Sequence, residues 1–216
     1  MKITLSNFSF GYDSTLFSFP FLEIDSGQIT LLSGENGSGK TTFCRLVSGL
    51  EKSFTGKIEF DKKNIKRLSI GEIGKVLVYH KQEPLSNLVG ATPEEDLAIW
   101  QTGFRRKITE QDTADQMMVL NRFGIADLRK VPFWEQSSGQ IKRCGLAALL
   151  LNEQKYWLLD EPLNGLDRQS INTLLRILED RKKSGYGALI VAHQIDTFRD
   201  IADRLLMIEN SDLVTG

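Results

Sequence analysis

Ser33-Gly34-Glu35-Asn36-Gly37-Ser38-Gly39-Lys40-Thr41-Thr42 is a loop whose residue types suit a nucleotide polyphosphate. Gly34, Gly37 and Gly39 can take backbone angles closed to residues with a β-carbon, so that successive N–H groups turn inward around phosphate oxygens. Lys40 adds a mobile positive charge for the β- and γ-phosphates, and the Thr41 hydroxyl suits Mg²⁺. The flanks agree. Gln28 to Leu32 reads as a buried strand feeding the loop, and Phe43, Leu46, Val47 and Leu50 form the i, i+3, i+4, i+7 stripe of a helix behind it. The phosphates then meet a helix N-terminus, where open N–H groups and the macrodipole favour anions. The ligand expected from these residues is ATP with Mg²⁺.

The chain has 216 residues, enough for one large α/β domain or a core with a smaller lobe. Lys and Arg number 27 against 28 Asp and Glu, a net charge of -1, so no broad basic field speaks for nucleic acid. The two cysteines, Cys44 and Cys144, each sit in an apolar helical pattern, which reads as buried reduced thiols. No run approaches the roughly 20 apolar residues that cross a bilayer, so a membrane role has to come through a partner.

Lys2 to Phe10 and Leu16 to Ile24 read as strands, and Gly56 to Asp61 as a further hairpin segment. Buried strands are expected at Lys75 to Tyr79, Tyr156 to Asp160, Gly187 to Ala192 and Arg204 to Ile208. Helical patterns separate the later ones, including a face of Ile171, Leu174, Leu175 and Leu178. This alternation predicts an α/β fold with a mainly parallel sheet under helical cover and an inserted helical lobe; together with the phosphate loop it resembles the P-loop NTPase fold, here with an N-terminal antiparallel β subdomain and an inserted helical subdomain. The expected organisation is one domain over 1–216, with a core of 1–83 and 141–216 and helices over about 84–140.

Trp157 to Pro162 is an apolar strand running into two acids, Asp160 and Glu161. Neighbouring side chains on a strand point opposite ways, so the two carboxylates can hold different roles. Asp160 is placed to fix Mg²⁺ beside Thr41, and Glu161 to act as general base on the attacking water.

Gln136-Ser137-Ser138-Gly139-Gln140, followed by a helix and then this acid pair, resembles the ABC-type ATPase signature, usually Leu-Ser-Gly-Gly-Gln. Gln136 and Ser138 depart from it; Ser137, Gly139 and Gln140 match. A β-carbon at Ser138 would strain a left-handed backbone by about 1–2 kcal/mol, implying slower hydrolysis if the position needs that conformation. Other members of the pattern follow in order. Tyr12 matches the aromatic that stacks on adenine, Gln82 the glutamine that senses Mg²⁺ and the γ-phosphate, Asp167 the loop facing the opposite subunit, and His193 the switch histidine. His80 has no counterpart and reads as structural.

The resemblance implies an ATP hydrolase. Each ATP would lie between the phosphate loop of one subunit and Ser137, Ser138, Gly139 and Gln140 of a second ABC ATPase subunit, identical or related. Gln82 to Ala98 is similar to a segment of energy-coupling-factor transporter ATPases, which import vitamins or metal ions. Leu85, Leu88 and Val89 would there meet an integral membrane subunit. The implied location is cytoplasmic, peripheral on the inner face of the membrane. A haem-exporter-like ATPase, a soluble ABC ATPase such as one of iron–sulfur assembly, and a small P-loop kinase are the alternatives.

Overall fold

A computed structural model describes residues 1–11, 15–103, 106–152, 155–209 and 212–215. The chain forms two compact units: Met1–Tyr79 with Gln154–Pro162 and Leu178–Gly216, and His80–Glu153 with Leu163–Ile177.

The first unit opens with β1 (Lys2–Gly11), β2 (Thr15–Asp25), β3 (Ile29–Gly34), α1 (Lys40–Val47), β4 (Thr55–Phe60), β5 (Lys63–Asn64), the short α2 (Ile70–Ile73) and β6 (Leu77–His80). Strands β2-β1-β4-β5 form an antiparallel sheet. Its inner face alternates up to Leu5, and then skips. Asn7 is left-handed (φ 46) and the β1/β4 register shifts there, so Phe8 and Phe10 return to the core while Phe21 on β2 faces out. Phe17 of β2 meets Phe43 of α1 edge-on, with ring centroids 6.1 Å apart, which fixes the antiparallel sheet against the helix behind the phosphate loop.

The second unit holds α3 (Pro93–Thr102), α4 (Glu110–Arg122) and α5 (Ser138–Leu150), which contact one another pairwise. Their starts are written in the sequence. Thr92, Thr109 and Ser137 each accept an N–H from the first turn; Asp112 and Gln140 return the bond to Thr109 and Ser137 as capping boxes. Between α4 and α5 there are only 3-10 turns among the described residues.

After α5 come β7 (Tyr156–Asp160), α6 (Arg168–Lys183), β8 (Ala188–Val191), β9 (Arg204–Glu209) and β10 (Asp212–Thr215). The larger sheet runs β10-β9-β3-β8-β7-β6. β3 pairs in parallel with β8 and β9, and β7 in parallel with β8; β10 returns antiparallel on β9. Every residue of β7 and β8 is buried, the mark of strands covered on both faces. The α/β architecture with an antiparallel sheet, a parallel core and a helical insert is thus as expected.

Apart from strand ends that shift by a residue or so, the structure differs from the sequence reading in these details. Helix α1 stops at Val47 and Leu50 is exposed. Gly49 is left-handed there, and Gly49 and Leu50 donate to the carbonyls of Leu46 and Arg45, a closing motif that satisfies the helix end. Strand β6 begins at Leu77, after Lys75 and Val76. In α6, Ile171 and Leu175 are half-buried, while Leu174, Ile177 and Leu178 form the buried stripe. β10 lies outside the expected strands: it is a four-residue edge strand whose Leu213 packs against the core.

Candidate nucleotide-binding site

Because β3, β8 and β7 are neighbours and parallel, their C-terminal ends share one edge of the sheet. Asp160 lies level with Val191, and Val191 with Leu32. That edge receives the phosphate loop, the acid pair and His193, the position at which open α/β sheets take ligands.

The loop is built around Gly39. It caps α1 in a left-handed conformation (φ 98), and a β-carbon there would lie 2.5 Å from the Phe17 ring. No side chain caps α1, which leaves its first-turn N–H groups toward the loop. Lys40 is buried, and its Nζ donates to the carbonyls of Gly34 and Glu35, both at 2.8 Å. Burial lowers its pKa, while the nearby Glu161 and Asp160 hold the ammonium charged. Gly34, Glu35, Asn36, Gly37 and Ser38 line a cavity of about 740 Å³, with His193 on its wall. Thr42 is half-buried on α1. Tyr12 lies outside the described residues; Leu16, which the sequence did not single out, lines the same cavity.

Thr41 and Asp160, 119 residues apart, meet: the Thr41 hydroxyl donates to Asp160 Oδ2 at 2.9 Å. The same oxygen accepts from the Tyr79 hydroxyl at 3.0 Å, a contact that sequence reasoning missed. Burial, with Cys44 and Asp160 close by, pushes the Tyr79 pKa far up, so it remains a donor. Asp160 is buried, and its Oδ1 has no hydrogen-bond partner among the described residues. One bare carboxylate oxygen beside a hydroxyl with free lone pairs is a hard-oxygen set that fits Mg²⁺.

Glu161 differs from the strand-end residue expected. β7 ends at Asp160, and Glu161 turns into the left-handed region (φ 50), its N–H held by the Val191 carbonyl at 3.0 Å. The turn, not strand alternation, separates the two carboxylates. A non-glycine residue held there costs about 1–3 kcal/mol and marks a constrained site. His193 Nε2 lies 3.0 Å from Glu161 Oε1, with the imidazole half-exposed and the carboxylate buried.

Within the helical unit, the Ser137 hydroxyl and the Gln140 side chain form the cap of α5. Ser138 is the first residue of that helix and is outside the left-handed region, so the strain expected from its β-carbon does not arise. Gln136, in place of the usual leucine, is buried but satisfied: its amide donates to the Val131 carbonyl at 2.7 Å, and the Cys144 thiol donates to its oxygen at 3.6 Å. Burial pushes the Cys144 thiol up to about 12, so it stays protonated, and Cys44 is likewise free and buried. Gly139 is required by space. A β-carbon would lie 2.8 Å from the Gly165 carbonyl, in the loop whose Asp167 caps α6 by accepting the Ser170 N–H. Gly139→Ala should therefore lower stability by about 1–3 kcal/mol, read as a fall in the melting midpoint.

Gln82 is exposed, but its loop is tied down. The buried Lys142 donates to the Gln82 carbonyl at 3.2 Å, and Asn87 bonds to Lys81 and Glu83. His80 is buried, pushed down to about 3 by burial, and neutral.

The ABC transporter family model matches residues 21–164. The energy-coupling factor transporter ATP-binding protein EcfA1 of Thermotoga maritima is 32% identical over 222 residues, covering 99% of this chain and 80% of that protein. The cytochrome c biogenesis ATP-binding export protein CcmA of Yersinia pestis is 31% identical, covering 84% and 81%. The solved structure of cbiO1 from Clostridium perfringens, part of the ABC transporter complex cbiONQ, superposes with a TM-score of 0.80 at 26% identity, covering 99% and 87%. This chain belongs to the ABC transporter family, as an ATP-binding and ATP-hydrolysing subunit.

Proposed function

We propose that the chain clamps Mg-ATP against a second ATPase subunit and, by closing and reopening, drives a membrane partner of the energy-coupling-factor type that imports a vitamin or a metal ion. The bond between Thr41 and Asp160, beside the buried Lys40, is the observation that carries the nucleotide part. In this reading the loop N–H groups and Lys40 hold the phosphates, and Thr41 and Asp160 hold Mg²⁺, which neutralises phosphate charge. Glu161 takes the proton of the attacking water, oriented by His193. Ser137 and Gly139 at the start of α5 address the nucleotide of the opposite subunit, where a helix N-terminus favours a γ-phosphate.

The partner surface rests on the segment after Gln82. Asp96, fully buried, accepts the N–H groups of Val89 and Gly90 at 2.6 and 3.0 Å, and Thr92 caps α3. On this fixed frame Leu85 and Val89 are 58% and 69% exposed, so they do not serve the chain's own core. Among the described residues no helix is long and apolar enough to cross a membrane. The likeness to the haem-export ATPase favours a second reading, but it covers 84% of the chain against 99% for the energy-coupling relative.

Affinity purification from native membranes tests this. A co-purifying multispanning protein of importer type supports the proposal, a haem-export subunit the second reading, and a soluble scaffold neither. Leu85→Glu with Val89→Glu should abolish co-purification of the membrane protein and leave ATP affinity unchanged. Retention of the partner by that variant would remove this surface from the interface.

A further inference from the structure

We propose that Tyr79 is a positioning residue for Asp160, fixing its carboxylate plane so that Oδ1 faces the cation. This rests on the reading of Asp160 as a metal ligand. The terminal torsion of an aspartate is broad, so hydrogen bonds set its plane. Here both act on one oxygen: Thr41 at 2.9 Å and Tyr79 at 3.0 Å converge on Oδ2, while Oδ1 is buried and bare. Thr41 has a single proton, and its own oxygen is needed at the cation, so it is a mobile anchor. Tyr79 is the stationary one. It lies on β6, its ring packed against the hydrophobic core, and its hydroxyl reaches Asp160 across 81 residues of sequence. A phenylalanine would serve the same packing; the hydroxyl adds only the bond to the carboxylate. Groups that orient a metal ligand in this way typically change metal affinity by about 10–100-fold when removed.

The test uses the full chain and the variants Tyr79→Phe, Asp160→Asn and the double variant. Mg²⁺ is titrated against binding of a fluorescent ATP analogue, Mn²⁺ binding is followed by electron paramagnetic resonance, and melting is recorded. Tyr79→Phe should raise the Mg²⁺ concentration for half-saturation on the order of ten-fold, while metal-free nucleotide affinity stays unchanged and the melting midpoint falls only modestly, through the lost bond to the carboxylate. Asp160→Asn should raise it further, and adding Tyr79→Phe to Asp160→Asn should change nothing more. If Asp160→Asn leaves the Mg²⁺ requirement unchanged, the reading of Asp160 falls. If Asp160→Asn raises it but Tyr79→Phe does not, or Tyr79→Phe acts equally without the aspartate, the role of Tyr79 alone is overturned. A lowered melting point with an unchanged Mg²⁺ requirement would leave Tyr79 a packing residue and overturn it as well.

Discussion

Glu161→Gln is expected to bind ATP normally and to lose turnover by a factor of about 10²–10⁴, the range over which a positioned general base accelerates proton transfer. The substitution is nearly isosteric, so what it removes can be named. The oxygen of the introduced amide can still accept from His193, whose Nε2 lies 3.0 Å from the carboxylate, and the backbone bond to Val191 is untouched. Only the negative charge and the proton acceptor disappear. Binding should survive because, in the proposed reading, the phosphate contacts belong to the loop and Lys40. With cleavage blocked, the shared ligand persists, and the proposed clamp should accumulate as a dimer in Mg-ATP, since a ligand bound by the associated form alone stabilises it by mass action. Phosphate release and size-exclusion chromatography are the measurements. Unchanged release removes Glu161 as base, and a nucleotide-saturated variant that remains monomeric with its partner subunit present dismantles the clamp.

The left-handed turn at Glu161 explains why this residue is harder to read from sequence than its neighbour. Asp160 ends a continuous apolar run, and the end of that run locates it; φ 50 at the next position leaves no compositional trace, because such conformations are rare outside glycine and Glu is an ordinary residue. The phosphate loop is legible for the opposite reason: Gly39 and Lys40 are residue types that few other geometries require. Helix starts are legible where a capping side chain marks them, as at Thr109 and Ser137. The end of α1 is misread because Leu50 continues the apolar period while Gly49 breaks the backbone. Tyr79 shows the larger limit. Its bond to Asp160 exists because the sheet order places β6 next to β7, and strand order is a property of tertiary packing that no local window carries. Ser138 shows the limit of analogy: strain inferred from a departure in the signature vanishes once the residue is seen as the first turn of a capped helix.

Lys40→Ala should weaken ATP binding by about one to two orders of magnitude, the loss of one charge-assisted hydrogen-bonding group worth about 1.5–3 kcal/mol. The ammonium is buried among carbonyls and close to two acids, so its removal does more than delete a contact. Asp160 and Glu161 lose a neighbouring cation, and an incoming triphosphate would meet two carboxylates with less compensation. Like-charge repulsion therefore adds to the lost bonds. Lys40→Arg is not a rescue: the planar fork is larger than an ammonium seated 2.8 Å from both the Gly34 and Glu35 carbonyls, and cannot present a point charge there. Calorimetric titration with Mg-ATP measures both variants. A normal affinity for Lys40→Ala would mean that the loop N–H groups alone hold the phosphates, and Lys40 would then be a lysine that stabilises the loop by bonding its carbonyls.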